Sequence, residues 1–176
     1  ELNPSALGSI FPQAFLLYTE GVDITEKGIV IGRSAPENLA LNSKIKVCAE
    51  ENPNATWGGW RGLIDESDAW WVTPQDYPPE KPIWFELTLP KETKIAKVMV
   101  KQAHGVEERN RIKRLILRFD DGSEVELNLP KDTACHWFYI KPPRKTLKIY
   151  AEAIEFWGER RGRCGLSEFA VYEMKN

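Results

Sequence analysis

Between Asn110 and Leu129, apolar residues recur at every second position on both sides of a turn. Leu115, Leu117 and Phe119 lead into Asp120-Asp121-Gly122-Ser123, and Val125, Leu127 and Leu129 lead out of it. Period-two alternation flanking an Asp-Gly turn is the pattern of an antiparallel hairpin. One face of each strand is oily and the other wet, so the sheet packs on one side only. That predicts an antiparallel β-sandwich, an architecture that carries its function on loops at one rim.

The same rhythm extends over the chain from Asn38 onward. Lys44–Ala49 alternates, Ile83–Leu89 reads as a strand ending at Pro90, and Ile95–Lys101 as another. His136–Ile140, Thr146–Ala151 and Glu168–Glu173 complete the set. With the hairpin this makes about eight strands and no segment of helical period, which predicts an all-β sandwich or barrel. The stretch from Glu50 to Pro82 is a long loop rich in Trp, Gly, Asp and Pro. Loops of that length are functional or disordered, and this one is too aromatic to be disordered.

Residues 1–36 are punctuated differently, by Pro4, Gly8, Pro12, Gly21, Gly28 and Gly32, and only Gly28–Ile31 reads as a strand. They are expected to form an N-terminal extension that packs on the main domain, residues 37–176, or is a linker remnant. Phe11–Tyr18 is apolar enough for a docked strand or a short helix. The chain opens at Glu1 rather than Met, as expected of a processed secreted protein or of an excised piece of a larger one.

Composition narrows the function. The net charge of −2 gives no global positive field, which argues against nucleic acid as the partner. No apolar run approaches the ~20 residues that span a bilayer. No Gly-x-Ser-x-Gly, His-Glu-x-x-His or phosphate-cradling glycine loop is present. With only 2 histidines, a His-based triad or zinc site has little to draw on. Cys135 adjoins His136, but neighbours on a strand point to opposite faces. The 3 cysteines permit at most one disulfide. They read as buried small apolar residues, with a Cys48–Cys164 bridge as the alternative.

Ordered pieces of the sequence resemble discoidin-type domains, the coagulation-factor C-type, galactose-binding-like sandwiches. They are Asn38-Leu39-Ala40-Leu41-Asn42 before a strand, Leu63-Ile64-Asp65 leading to Trp71, Trp84–Leu89, Arg111–Ser123, and Gly165–Tyr172. Two departures concern the loop: Glu66 stands where the family has Gly, and the Asp65–Trp71 spacing is about one residue short. The resemblance implies a jelly-roll sandwich that binds its ligand at loops on one rim. Relatives bind sugars as modules of glycoside-active enzymes, or phospholipid or protein partners at cell surfaces, and most are non-catalytic.

Against that background the loops acquire candidate roles. Gln102–Asn110 offers His104, Glu107, Arg109 and Asn110, donors and acceptors of the kind sugar hydroxyls need. Trp157 can stack on a sugar's CH face, with Arg160 and Arg161 as secondary contacts. The local positive charge points to an anionic glycan such as a uronate, or else to salt bridges with Glu155 and Glu159. Trp57, between Asn54-Ala55-Thr56 and Gly58-Gly59-Trp60, can present an indole. At least one tryptophan of this segment is expected in the core, as is one of Trp70 and Trp71. The resemblance also implies a structural calcium ion held by Asp65, Asp68 and Glu168; calcium takes 6–8 oxygen ligands.

The expected protein is a non-catalytic carbohydrate-binding module, secreted or at a cell surface, covalently linked to a catalytic or surface domain. The alternative is a protein-interaction or adhesion domain with the same sandwich and no sugar specificity.

Overall fold

The computed structural model describes residues 37–160 and 162–174 and, before them, the backbone of β1 (Asp23–Thr25) and β2 (Gly28–Val30). The chain divides into two units, Glu1–Glu37 and Asn38–Asn176. In the first, β1 and β2 pair antiparallel, with Thr25 opposite Gly28. The element expected at Phe11–Tyr18 lies outside the described residues.

The second unit contains β3 (Lys44–Val47), β4 (Trp71–Val72), β5 (Ile83–Gln102), β6 (Ile112–Phe119), β7 (Glu124–Asn128), β8 (Cys135–Phe156) and β9 (Gly165–Glu173). Every ladder among them is antiparallel. The expected hairpin is β6–β7, paired from Arg114–Asn128 to Arg118–Glu124. Asp121 Oδ1 accepts the Ser123 N–H at 2.8 Å and so closes its turn.

The chain is more continuous than its rhythm suggests. The segments expected as Ile83–Leu89 and Ile95–Lys101 are one strand, β5, and those expected as His136–Ile140 and Thr146–Ala151 are one strand, β8. Each bends from one layer into the other. One layer runs β3–β5–β8–β6–β7 through the first half of β5 and the second half of β8. The facing layer runs β8–β5–β9–β4 through the other halves.

Pro90 does not end β5 because the ladder lapses there. Pairing with β8 stops at Thr88–Lys148 and resumes at Thr93–Thr146, so the absent proline N–H costs no ladder bond. Pro142 and Pro143 fall in the matching lapse of β8, between Tyr139–Lys97 and Arg144–Ile95.

The core lies between the layers. Ile83, Phe85 and Leu87 of β5, Leu115 and Leu117 of β6 and Ile149 of β8 face Val98, Val100, Phe169 and Val171. Phe85 meets Phe169 edge-on across the gap, ring centroids 4.8 Å apart. Trp71 plugs one end, fully buried, and its Nε1–H donates to the Ala49 carbonyl at 2.8 Å. Cys48, Cys135 and Cys164 are all free thiols, so the alternative of a Cys48–Cys164 bridge is not formed. Burial pushes the Cys164 thiol far up.

The two bends and the β6–β7 turn lie at one pole. The long connections gather at the other: residues 48–70, 73–82, 103–111, 129–134 and 157–164 all leave strands at that end. Among the described residues no helix is long and apolar enough to cross a membrane.

Candidate functional site

The connection from β5 to β6 forms the middle of this rim. Its two ends are tied by Gln102, a buried amide at the end of β5. Gln102 Nε2 donates to the carbonyls of Ile112 at 2.5 Å and Pro130 at 3.2 Å, while its Oε1 accepts the Ile112 N–H at 3.3 Å. Ala103 and Val106 are buried with Val72 against Trp70, which seats the loop on β4. A short 3₁₀ turn, Glu108–Asn110, then returns the chain to β6.

His104, exposed, stands at the start of this loop. Its ring is edge-on to Trp70, centroids 4.7 Å apart, and Trp70 is in turn edge-on to Trp57 at 4.4 Å. Trp57 is 53% exposed. The three rings join the β3–β4 connection to the β5–β6 connection. Gly105 packs closely on Trp70: a Cβ there would lie 3.0 Å from Cζ2, tighter than an ordinary contact. Gly58, at φ +85°, donates its N–H to the Trp70 carbonyl at 2.8 Å and turns the chain so that Trp57 projects outward.

Arg109 stands near the other end of the loop, with its Nε 2.7 Å from Glu107 Oε2; both side chains are exposed. The β8–β9 connection packs beside it. Gly158 donates its N–H to the Arg109 carbonyl at 2.9 Å. Trp157 is 41% exposed, and its Nε1–H donates to the Leu129 carbonyl at 3.2 Å. Lys113 Nζ lies 5.6 Å from its ring centroid.

Other expected residues sit elsewhere. Asn110 is 2% exposed, so its side chain belongs to the loop's interior rather than to its surface. Arg160 is 6% exposed and faces inward. It donates to the carbonyls of Pro78 at 2.7 Å, Pro79 at 2.5 Å and Lys81 at 2.9 Å, between the rings of Tyr77 and Phe156. It therefore holds the 74–82 loop to the core, and the role expected for it at the surface is replaced by this internal one. Arg161 lies outside the described residues. Arg163 is paired with Glu51.

The carboxylates expected to hold calcium each accept from a partner within the fold. Asp65 Oδ1 accepts the Ser67 N–H at 3.0 Å and the Ser67 hydroxyl at 2.7 Å, within its own turn. Asp68 Oδ1 accepts from Lys101 Nζ at 3.0 Å. Glu168 is buried; its Oε2 accepts the Glu66 N–H at 2.9 Å, and its Oε1 has no partner. Burial pushes the Glu168 carboxyl up to about 8, against the Glu66 N–H and the Lys101 charge. Among the described residues no group of three His, Cys, Asp or Glu side chains is placed to hold a metal ion. The orphaned Glu168 oxygen is the feature of the set that suits a cation, and Lys101 stands opposite Glu168 in the β5–β9 ladder. The set as it stands does not fit calcium.

Sequence reasoning assigns no site role to Trp70, Lys101 or Gln102. Trp70 had a signal, because adjacent tryptophans point to opposite sides and Trp71 is the core member. Lys101 and Gln102 had only their place at a strand end.

Comparison by sequence finds no matching family model and no matching curated protein. Comparison of folds finds many similar structures. A Clostridium perfringens module, CpGH89CBM32-5, in complex with GalNAc-β-1,3-galactose, is 20% identical with a TM-score of 0.63, over 77% of this chain and 99% of that one. The family 32 carbohydrate-binding module of C. perfringens NanJ, in complex with galactose, is 17% identical with a TM-score of 0.60, over 77% and 98%. An F5/8 type C domain from Bacteroides fragilis is 13% identical with a TM-score of 0.61, over 76% and 93%. The second unit of this chain thus has the discoidin-like, galactose-binding-like sandwich fold that these domains share.

Proposed function

We propose that this chain is a non-catalytic carbohydrate-binding module that recognises a neutral glycan at the rim carrying Trp57, His104 and Arg109. The observation that supports it most is the ring array Trp57–Trp70–His104. An exposed indole provides a flat apolar platform for the CH face of a pyranose. One nitrogen of the His104 imidazole donates to a hydroxyl and the other accepts, the guanidinium of Arg109 donates, and the Glu107 carboxylate accepts. Trp157, beside Arg109, offers a further platform for a second sugar unit.

A neutral ligand is favoured over an anionic one because three of the described rim arginines are already engaged. Arg109 faces Glu107, Arg163 faces Glu51, and Arg160 is enclosed by carbonyls. The neighbouring structures that hold galactose and GalNAc-β-1,3-galactose support a sugar of this kind. The site's side chains are exposed, so each contact is weak; affinity is expected in the millimolar to micromolar range, about −4 to −8 kcal/mol. Such a module tethers a linked catalytic or surface domain to its glycan, outside the cell or at its surface, and gains strength from multivalency.

A glycan array probed with the chain, with calcium and with chelator, tests this reading. Retention on neutral galactose-type glycans in both conditions is expected. Retention confined to sulfated or uronate glycans would reject the neutral ligand, and retention on none would reject the module.

A further inference from the structure

We propose that the Lys101 ammonium is the resident cation of the 65–69 turn: through Asp68 it secures the turn to β5, beside the Glu66–Glu168 bond to β9, without a divalent ion. The turn is acidic: Asp65, Glu66 and Asp68 lie in it, and Glu168 enters from β9. Such a cluster needs positive charge to close. Lys101 lies on β5, directly opposite Glu168 of β9 and Cys135 of β8, so the three side chains stand abreast on one face of the sheet.

Lys101 is 8% exposed, and an ammonium this buried requires a carboxylate. Its partner is Asp68 Oδ1 at 3.0 Å, across the gap from strand to turn. On the other side of the turn the Glu66 N–H is taken by Glu168 Oε2 at 2.9 Å, a link spanning 102 residues of sequence. Glu66 holds φ 55°, a left-handed backbone rare for a non-glycine residue. That conformation aims its N–H at β9. Strand and turn are thus joined by an ion pair and a backbone bond, the two links that a shared cation would otherwise supply. A divalent ion placed among the same oxygens would meet the Lys101 charge at close range and be repelled by it.

Thermal melting of the native chain in millimolar calcium and in excess chelator tests the proposal, together with Lys101→Met, Asp68→Asn and the double variant. The native melting temperature is expected to be the same in both media. Lys101→Met is expected to lose about 5 °C, and Asp68→Asn is expected to add little to it, since each breaks the same pair. A native melting temperature that rises with calcium overturns the proposal. So does a Lys101→Met chain that melts like the native one, or a double variant whose losses simply add. If Lys101→Met fails to fold, the native calcium response and the loss in Asp68→Asn still decide.

Discussion

His104 stands edge-on to Trp70, ring centroids 4.7 Å apart at 83°, so its ring at the rim packs against an indole from another connection. Trp70 comes from the β3–β4 connection and His104 from the β5–β6 connection, so one half-buried indole registers two loops against each other. Trp57 leans on the other side of Trp70 at 86°. The platform and the polar head of the site therefore share one support.

Gly105→Ala puts a Cβ against this support, 3.0 Å from Cζ2 and 3.1 Å from Cε2 of Trp70. Overpacking of one methyl costs about 1–3 kcal/mol where neighbours cannot yield. Glycan affinity is expected to fall about tenfold, equivalent to about 1.4 kcal/mol. Calorimetric titration of the variant against the native chain measures it.

Arg160→Met removes the guanidinium from three carbonyls while keeping an apolar side chain between Tyr77 and Phe156. A loss of about 2–4 kcal/mol in denaturant unfolding is expected, because the carbonyls of the 74–82 turn lose a charged donor. Glycan affinity is expected to stay within about twofold of native, a change worth less than 0.5 kcal/mol. A large loss of affinity at unchanged stability would return Arg160 to the binding surface.

Phe85→Ala opens the centre of the sandwich, where Phe85 touches both Phe169 and Trp71. Truncation of a buried aromatic costs about 3–5 kcal/mol. Chemical denaturation is expected to show it as a lower midpoint with an unchanged slope.

Acid should act partly through Glu155. The Lys113 ammonium, with Arg114 beside it, holds the Glu155 carboxyl below its ordinary range. A depressed folded value stabilises the fold above the unfolded value, near about 4.3, and that contribution is lost as pH falls through the folded value. Glu155→Gln is expected to flatten the acid limb of a stability-versus-pH curve below about pH 4.3. An unaltered acid limb would show that the pair contributes nothing in solution.

The hairpin was legible because Leu115, Leu117 and Phe119 keep strict alternation and face a core on one side only. The continuity of β5 through Pro90 was not, because it depends on where the ladder with β8 lapses, and no local signal marks that. The rim loops were legible as loops, and their gathering at one pole follows from antiparallel connection. The contents of the site were read less well. Nothing in Trp57, Trp70 and His104 shows that they touch, since the contact is made between separate connections. Arg160 beside Trp157 looks like surface charge in the sequence; only the fold of the Pro78-Pro79 turn turns it inward. Lys101 reads as an ordinary strand-end lysine until β9 sets Glu168 opposite it.

The most direct test is calorimetric titration of the native chain and of Trp57→Ala with a galactose-containing disaccharide, with melting curves for both. The expected result is saturable binding by the native chain at a dissociation constant of about 1 μM to 1 mM, and at least about tenfold weaker binding by Trp57→Ala at unchanged melting temperature. Equal affinity in the two proteins, or no heat of binding in the native chain, would contradict the assignment of this rim as a glycan site.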